Sequence, residues 1–284
     1  MKIMMGVDME GITGLCTREH VIGKGRLYDE GIELAVHDVN AAVEGLVDAG
    51  VDDIVVWDNH AASFNHPLAK LHPAARYRRG GSANQLRWQE LDSSFAGLIL
   101  LGYHAQAGTL HGVLEHTMSS ASWMRLKVNG RAIGEIGIDG ALAGSVGVPV
   151  IMVSGDDKLC AEAKGLFGPD VVAACVKHGH GRHCATCLPP EQTGELLRKG
   201  AAEAVKCAGR LKPLDLGRPA VVELTFKHTD HADGADIKSF NGRRLDGYTV
   251  QWTCPDFAAW MGFTMRNLPP IGRAPVAASG PARA

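Results

Sequence analysis

Several features are scarce or missing in this 284-residue sequence, and each absence excludes a class of function. Basic and acidic residues nearly balance, at 29 and 31, and aromatic residues make up only 6% of the chain. A chain without an excess of basic charge is not expected to bind nucleic acid. No apolar stretch approaches the ~20 residues that a membrane-spanning helix needs, so a membrane partner is not expected either.

An export signal and a regular cysteine pattern are also missing. Seven cysteines with irregular spacing do not form the paired framework of a small secreted protein. The first residues contain one lysine and a short apolar run that ends at Asp8, which is too short and too soon acidic for a signal peptide. We therefore expect reduced thiols and a cytoplasmic protein.

Glycine is abundant, and it accompanies a repeating pattern of strands and helices. The chain has 35 glycines, well above the usual share of about 7%, which favours tight turns between elements. Apolar runs at residues 3–7, 53–57 and 97–102 alternate with segments of helical periodicity such as 27–49. This alternation predicts an α/β fold with a mostly parallel sheet flanked by helices on both faces.

Each of these three strands is followed by residue types that ligate metals. Asp8 and Glu10 follow the first strand, His60 the second and His104 the third, while Glu135 lies near a later strand-to-helix junction. Taken alone, each of these residues is better explained as a solvated or hydrogen-bonded loop residue. Open parallel sheets, however, bind ligands beyond the carboxyl ends of their strands. The five side chains therefore predict one site for two divalent cations, with zinc the commonest metal for such ligands.

Patterns further along the chain complete the predicted architecture. They predict a helix at 83–90, a hairpin turn at Asn129–Gly130, a helix at 132–145 and a loop rich in histidine and cysteine from His178 to Cys187. The predicted units are a metal-binding α/β domain (1–210), a smaller α+β unit (211–268) and a flexible tail (269–284).

Short motifs recur in a fixed order along the chain, at Val7–Ile12, Asp58–His60, Leu101–Ala105, Gly134–Glu135 and Val153–Asp157. On these motifs the chain resembles the zinc-dependent D-aminopeptidases of the DppA type, from its N-terminus to about Asn267. The resemblance implies that two zinc ions are held by Asp8, Glu10, His60, His104 and Glu135. It also implies cleavage of short peptides with an N-terminal D-residue, such as D-Ala-D-Ala, by a homo-oligomer built as a decamer of two stacked pentamer rings.

The same resemblance implies a catalytic histidine outside the ligand set. The matching position is His116, because Thr117 and Met118 follow it as the family pattern leads us to expect. This segment carries one extra residue after His104 and a second histidine, His111, which is the alternative. A histidine in this place would shuttle protons or stabilise a tetrahedral intermediate.

Two other features invite a functional interpretation. Cys184 and Cys187 form a Cys-x-x-Cys pair with nearby histidines, but an isolated pair is weak support for a structural zinc site. Arg182, on the same stretch, is long enough to reach a neighbouring subunit. Asp156 and Asp157 follow another strand, where helix capping is the favoured interpretation over support of a metal ligand.

Rival functions use part of the same pattern. A dinuclear phosphoesterase, or an amidase acting on another small substrate, would need similar ligands, although such phosphoesterases carry histidine where this chain has Glu10. A non-catalytic peptide-binding protein with a structural metal is the third hypothesis. No sequence feature favours it, and no substrate-binding residue is predicted.

Overall fold

The computed structural model describes residues 1–80 and 87–267, which form two β-sheets with helices packed around them. The strands are β1 (Lys2–Val7), β2 (Asp53–Asp58), β3 (Arg76–Arg78), β4 (Gly97–Leu101), β5 (Trp123–Val128), β6 (Arg131–Ile133), β7 (Val150–Asp156), β8 (Val172–Gly181), β9 (Cys184–Cys187), β10 (Ala220–Phe226), β11 (Arg243–Arg244) and β12 (Thr249–Cys254).

Helices connect these strands and cover the sheets. They are α1 (Arg18–Val21), α2 (Tyr28–Asp48), α3 (Glu135–Ser145), α4 (Asp157–Phe167), α5 (Pro190–Cys207), α6 (Thr229–Asp233) and α7 (Phe257–Asn267), with 3-10 turns at Leu68–Lys70 and Ser239–Asn241. None of the helices in the described ranges combines the length and the apolarity that a membrane crossing requires.

The larger sheet has seven strands in the order β3-β2-β1-β4-β7-β8-β9, and only the β8–β9 pair is antiparallel. Its central strands are buried on both faces. Ile3 and Met5 pack into the core that α2 and α5 cover, whereas Met4 packs on the opposite side with residues of α3 and α4. The predicted α/β fold with helices on both faces is therefore confirmed.

The smaller sheet is antiparallel, in the order β11-β12-β10-β5-β6. Asn129 and Gly130 both have positive φ, 49° and 80°, and close the β5–β6 hairpin as predicted. Segments on both sides of residue 210 build this sheet, and the division of the chain at that position stays a prediction. Helix α3 joins the layers, because Ile136 packs toward the parallel sheet and Ile138 toward the antiparallel one.

Three predicted elements differ from the structure. The stretch from His178 to Cys187 is the end of β8 and all of β9, a hairpin and not a loop, because it extends the parallel sheet at its edge. The helix expected at 132–145 begins at Glu135, since Arg131–Ile133 pair with β5. The helix expected at 83–90 lies partly outside the described residues, and Arg87–Glu90 form a turn. The expected tail, 269–284, lies wholly outside them.

Candidate metal centre

The ends of three neighbouring strands place the first candidate ligands at one rim of the parallel sheet. Val7 pairs with Asp58 on one side and Leu101 on the other, so β1, β2 and β4 end at the same level. The backbone bonds continue past the strands, since the amide of Asp8 donates to the Leu101 carbonyl at 2.9 Å and that of Asn59 to the Val7 carbonyl at 2.8 Å. The residues that follow these strands therefore start from adjacent points.

Gly11 brings the loop after β1 against the loop after β4. Its amide donates to the Gly102 carbonyl at 2.8 Å, and a Cβ at this position would lie 1.8 Å from the backbone oxygen of Tyr103. No larger residue fits without moving one of the two loops. This close approach holds Glu10 and His104 beside each other.

The first group of candidate ligands consists of Asp8, Glu10 and His60, whose ligand atoms lie within 4.8 Å of one another. Asp8 and Glu10 are 5% and 6% exposed. The Nε2 atom of His60 is 3.5 Å from Oε1 of Glu10. Two buried carboxylates at this spacing repel each other unless a positive charge lies between them.

The second group consists of His104, His116 and Glu135, with ligand atoms again within 4.8 Å. Oε1 of Glu135 lies 3.3 Å from Nε2 of His104 and 3.6 Å from Nε2 of His116. The two imidazole rings stack with centroids 4.0 Å apart. Because Nε2 of His104 is also 3.4 Å from Oδ2 of Asp8, the two groups form one continuous centre.

Backbone carbonyls orient the two stacked histidines. Nδ1 of His104 donates to the Ala105 carbonyl at 3.0 Å, and Nδ1 of His116 to the Leu114 carbonyl at 2.9 Å. In the neutral form of each ring the proton is therefore on Nδ1, and the lone pair of Nε2 is directed toward the carboxylates. That is the tautomer a metal ligand or a proton acceptor needs.

The carboxylates and imidazoles of the centre shift one another's pKa values. Burial lowers the pKa of His104, but the carboxylate of Glu135 outweighs it and raises the pKa to about 10. Burial likewise lowers the pKa of His60, and Glu10 raises it to about 9. Burial and the neighbouring Glu10 raise the pKa of Asp8 well above its usual range. These carboxylates therefore call for positive charge inside the centre.

Unpartnered atoms show that the donor set fits a divalent cation. Among the described residues, Oδ2 of Asp8, Oε2 of Glu10 and Nε2 of His104 are buried without a hydrogen-bond partner. A buried polar atom without a partner costs about 1–3 kcal/mol, more when it is charged. Coordination of a cation by carboxylate oxygen and imidazole nitrogen would satisfy all three.

All five predicted ligands and His116 therefore lie together, while His111 does not. His111 is an exposed residue with a φ of 60°, and it belongs to neither group. The Cys-x-x-Cys pair is likewise absent from the metal-ligand groups found in residues 1–80 and 87–267. The functions of the individual residues stay predictions.

Lys177 supports the centre and is missing from the sequence prediction. Its side chain is fully buried, and Nζ donates to the carbonyls of Glu10 at 2.7 Å, Ile12 at 2.8 Å and Leu15 at 2.5 Å. Three such bonds fix the loop that carries Glu10. The available signal was a lysine inside an apolar strand, since buried lysines require partners.

A second buried network lies behind the histidines. Asp139 accepts from the Tyr103 hydroxyl at 2.7 Å, from Trp88 Nε1 at 2.7 Å and from both Nε and Nη2 of Arg87. Asn59 Nδ2 donates to the Tyr103 hydroxyl at 2.6 Å. Asn59 and Tyr103 each precede a candidate ligand in the chain, so this network fixes the backbone from which two imidazoles project.

Two acids on the α4 side hold the loop between His104 and Glu135. Asp156 caps α4 through the Leu159 amide at 2.8 Å, as predicted, and its second oxygen accepts from the Val113 amide at 2.7 Å. Glu162 accepts from the amides of Gln106 at 2.8 Å and Gly134 at 3.2 Å. Burial raises the pKa of Glu162 to about 7.

The hairpin of β8 and β9 also contacts the loop between His104 and Glu135. The Arg182 carbonyl accepts from the Leu114 amide at 2.9 Å. Its guanidinium pairs with Glu115 of the same chain, with Nη1 2.5 Å from Oε1. Within one chain, Arg182 therefore contacts the segment that ends at His116.

Comparison with known proteins identifies the family of this chain. The peptidase M55 family model, described as D-aminopeptidase, matches residues 1–265. A D-aminopeptidase of Bacillus subtilis (strain 168) is 33% identical over 256 residues, covering 90% of this chain and 92% of that protein. The solved Zn-dependent D-aminopeptidase DppA from Bacillus subtilis, a self-compartmentalizing protease, matches with a TM-score of 0.87 at 33% identity over 93% of this chain and 96% of that one. The resemblance found in the strand-end motifs is confirmed, and the chain belongs to the D-aminopeptidase family, peptidase family M55, as a metallo-aminopeptidase.

Proposed function

We propose that this protein is a dinuclear zinc aminopeptidase that removes the N-terminal residue from short peptides containing D-amino acids, D-Ala-D-Ala among them. The observation that carries the proposal is the continuity of the two ligand groups. Asp8, Glu10 and His60 lie on one side, His104 and Glu135 on the other, and the His104–Asp8 distance of 3.4 Å joins them. Two-metal sites have this form, with a shared edge between two sets of ligands.

Five side chains are the proposed metal ligands. Asp8, Glu10, His60, His104 and Glu135 would hold two zinc ions. Zinc, when bound, supplies Lewis acidity that polarises a carbonyl oxygen and lowers the pKa of water. Because the carboxylates are engaged by the cations, a peptide's N-terminal amine would be held in its neutral form, through the nitrogen lone pair, which suits an aminopeptidase.

His116 is the proposed proton carrier. Its Nδ1 donates to the Leu114 carbonyl, so Nε2 has a free lone pair directed into the centre. Nε2 can take the proton of the attacking water and return it to the leaving amine as the peptide bond breaks. The imidazolium formed in between lies near Glu135, which stabilises its charge.

A substrate comparison tests the proposal. Purified protein is incubated with D-Ala-D-Ala, L-Ala-L-Ala and a phosphodiester, before and after removal of metal with a chelator, and free amino acid or phosphate monoester is quantified. We expect cleavage of D-Ala-D-Ala alone, lost with the chelator and restored by zinc, with two zinc ions per chain by elemental analysis. Turnover of the phosphodiester, or binding of peptide without turnover, would overturn the assignment.

The assembly and the compartment are part of the same proposal. The Bacillus subtilis relative is described as a self-compartmentalizing protease, and we propose that this chain also forms a homo-oligomer, a decamer, which would admit only short peptides to its centres. We also propose that it acts in the cytoplasm. Light scattering measures the mass directly, and a monomer in solution would contradict the decamer.

A further inference from the structure

The two cysteines of the Cys-x-x-Cys motif cannot pair with each other in this fold. Cys184 and Cys187 are the first and last residues of β9. A strand rises about 3.3 Å per residue, so their Cα atoms lie about 10 Å apart. A disulfide requires Cα atoms within about 7 Å. The motif must therefore be interpreted through the neighbours that the sheet gives each cysteine.

Cys187 has a different thiol beside it. Its Sγ lies 3.5 Å from Sγ of Cys16, which is 171 residues earlier in the chain and lies in the loop after β1. Both residues are partly exposed. A disulfide bond is about 2.05 Å long, so the two sulfurs must approach by about 1.5 Å, a distance within the range of side-chain rotation.

The surroundings divide the two thiols into a nucleophile and a resolving group. The hydrogen bond between the two sulfurs, together with the buried ammonium of Lys177, lowers the pKa of Cys187 to about 6. The same bond raises the pKa of Cys16. At neutral pH the charge resides on Cys187, and a thiolate is the reactive form of cysteine.

The pair also connects two elements that matter to the metal centre. Cys16 closes the loop whose carbonyls at Glu10, Ile12 and Leu15 accept bonds from Lys177 of β8. Cys187 lies on β9, which pairs with β8 at the edge of the sheet, with Lys177 opposite Cys187. A bond between the two sulfurs would add a covalent link to the hydrogen bonds and the apolar packing that already join this loop to the edge of the sheet.

We propose that Cys16 and Cys187 form a redox modification site, at which low-molecular-weight disulfides such as oxidised glutathione produce an intrachain disulfide that fastens the ligand-bearing loop to the edge strand. The Cys187 thiolate attacks one sulfur of oxidised glutathione, forming a mixed disulfide and releasing one glutathione thiolate. Cys16 then loses its proton to solvent and attacks Sγ of Cys187, which releases the second thiolate. Two cysteine thiols are oxidised, and one disulfide is reduced to two thiols.

Peptide mapping of the full-length protein tests the site. The protein is treated with oxidised glutathione, free thiols are blocked, and tryptic peptides are analysed without reduction. Trypsin releases Cys16 in residues 3–18 and both Cys184 and Cys187 in residues 183–198. We expect these two peptides to be joined, with a mass lower by two hydrogens than their sum, and to separate on reduction.

Matched variants assign the bond. Cys184→Ser should leave the cross-link unchanged. Cys16→Ser should abolish it and retain one glutathione on Cys187. The other pair of neighbouring thiols, Cys160 and Cys175, is the competing site. A bond that joins Cys160 to Cys175 alone, a link that disappears in Cys184→Ser, or glutathione on both Cys16 and Cys187 without a link would overturn the proposal.

Hydrogen exchange tests whether the disulfide restrains the loop that carries Glu10, and this measurement does not require bound metal. Oxidation should slow amide exchange at residues 9–16 several-fold in the wild-type protein, and reductant should reverse the effect. Cys16→Ser should show no change. A cross-linked protein in which exchange at residues 9–16 stays as fast as in the reduced form would contradict this part of the proposal.

Discussion

Two regions of the molecule are rich in metal-ligand residue types, and only one of them gathers these residues into a centre. At the rim of the parallel sheet, Asp8, Glu10, His60, His104 and Glu135 come from four separate segments and converge within a few ångströms. On the β8–β9 hairpin, the ligand types are closer together in sequence, and none of them joins a metal-ligand group among the described residues. Local density of such residues is therefore a poor guide to a site.

Strand direction explains the contrast. Parallel strands end at one rim, so each strand adds a side chain to the same place. Along a hairpin, side chains alternate between faces and move about 3.3 Å per residue. His178 is 61% exposed and lies 3.9 Å from Asp157, whereas Nε2 of His180 contacts the Thr186 hydroxyl at 2.8 Å. His178 and His180 therefore contact different partners and do not converge on a common point.

The largest expected effect comes from removing a carboxylate at the rim. Asp8→Asn keeps the size of the side chain and removes its charge, so the protein should lose bound zinc and at least about 1,000-fold in kcat/KM, since several kcal/mol of charge stabilisation depends on the cations. Elemental analysis and dipeptide kinetics measure both. Asp157→Asn, another strand-end acid, is the matched control and should keep its zinc. A fully metallated, active Asp8→Asn protein would show that Asp8 is neither a zinc ligand nor required for catalysis.

The next largest effect separates His116 from the ligands around it. His116→Ala should lower kcat about 100- to 10,000-fold, the range for a lost proton-transfer group, and should leave the zinc content unchanged. His111→Ala is the control, because that residue is exposed and apart from the centre, and it should be as active as the wild-type protein. If His116→Ala loses zinc, His116 is a ligand, as its 3.6 Å distance from Glu135 would then explain.

The sequence predicts the rim well because its signals are local. An apolar run that ends at Asp8, Asp58 or Gly102 marks both a buried strand and the point where a polar side chain leaves it. Parallel pairing then follows from the alternation with helices. The five candidate ligands could thus be predicted without any knowledge of which strand lies beside which.

Supporting residues are harder to predict, because their partners are backbone atoms or distant segments. Lys177 binds three carbonyls more than 160 residues away, and a carbonyl leaves no trace in the sequence. The sequence of the hairpin that follows it, rich in histidine and cysteine, predicts a loop. Its strand conformation depends on pairing at the sheet edge, which local patterns do not contain.

Glu162 provides a test of pH dependence on the α4 side of the centre. Its folded pKa of about 7 exceeds its ordinary value of 4.5, so the stability that it contributes is present below pH 4.5 and is lost as the pH rises through 7. Between pH 5 and 8 this loss is up to about 3 kcal/mol. Glu162→Gln cannot titrate, so its free energy of unfolding should fall less over this interval. Identical denaturation profiles would show that Glu162 ionises normally.

Lys177→Met tests the brace between the edge of the sheet and the rim. Loss of three bonds to the loop of Glu10 should weaken zinc binding about 10- to 100-fold, the usual cost of removing support for a ligand. Competition with a chromogenic chelator measures the affinity. Lys164→Met is the matched control, because Lys164 also donates to backbone carbonyls, those of Pro169 and Val171, far from the candidate ligands. Equal zinc affinity in both variants would contradict a positioning function for Lys177.

The smallest expected effect comes from substitutions on the β8–β9 hairpin. They test whether the hairpin, unlike the rim of the parallel sheet, binds no metal. His178, His180, His183 and Cys184 are all exposed, so replacing the histidines with alanine and Cys184 with serine removes no buried partner. The combined variant should keep two zinc ions per chain and wild-type kcat/KM, since exposed substitutions of this kind change stability by no more than about 0.5 kcal/mol each. The loss of one zinc ion in elemental analysis would mean that the hairpin binds metal after all. Metal binding by the hairpin would contradict the claim that only the converging strand ends form a metal site in this protein.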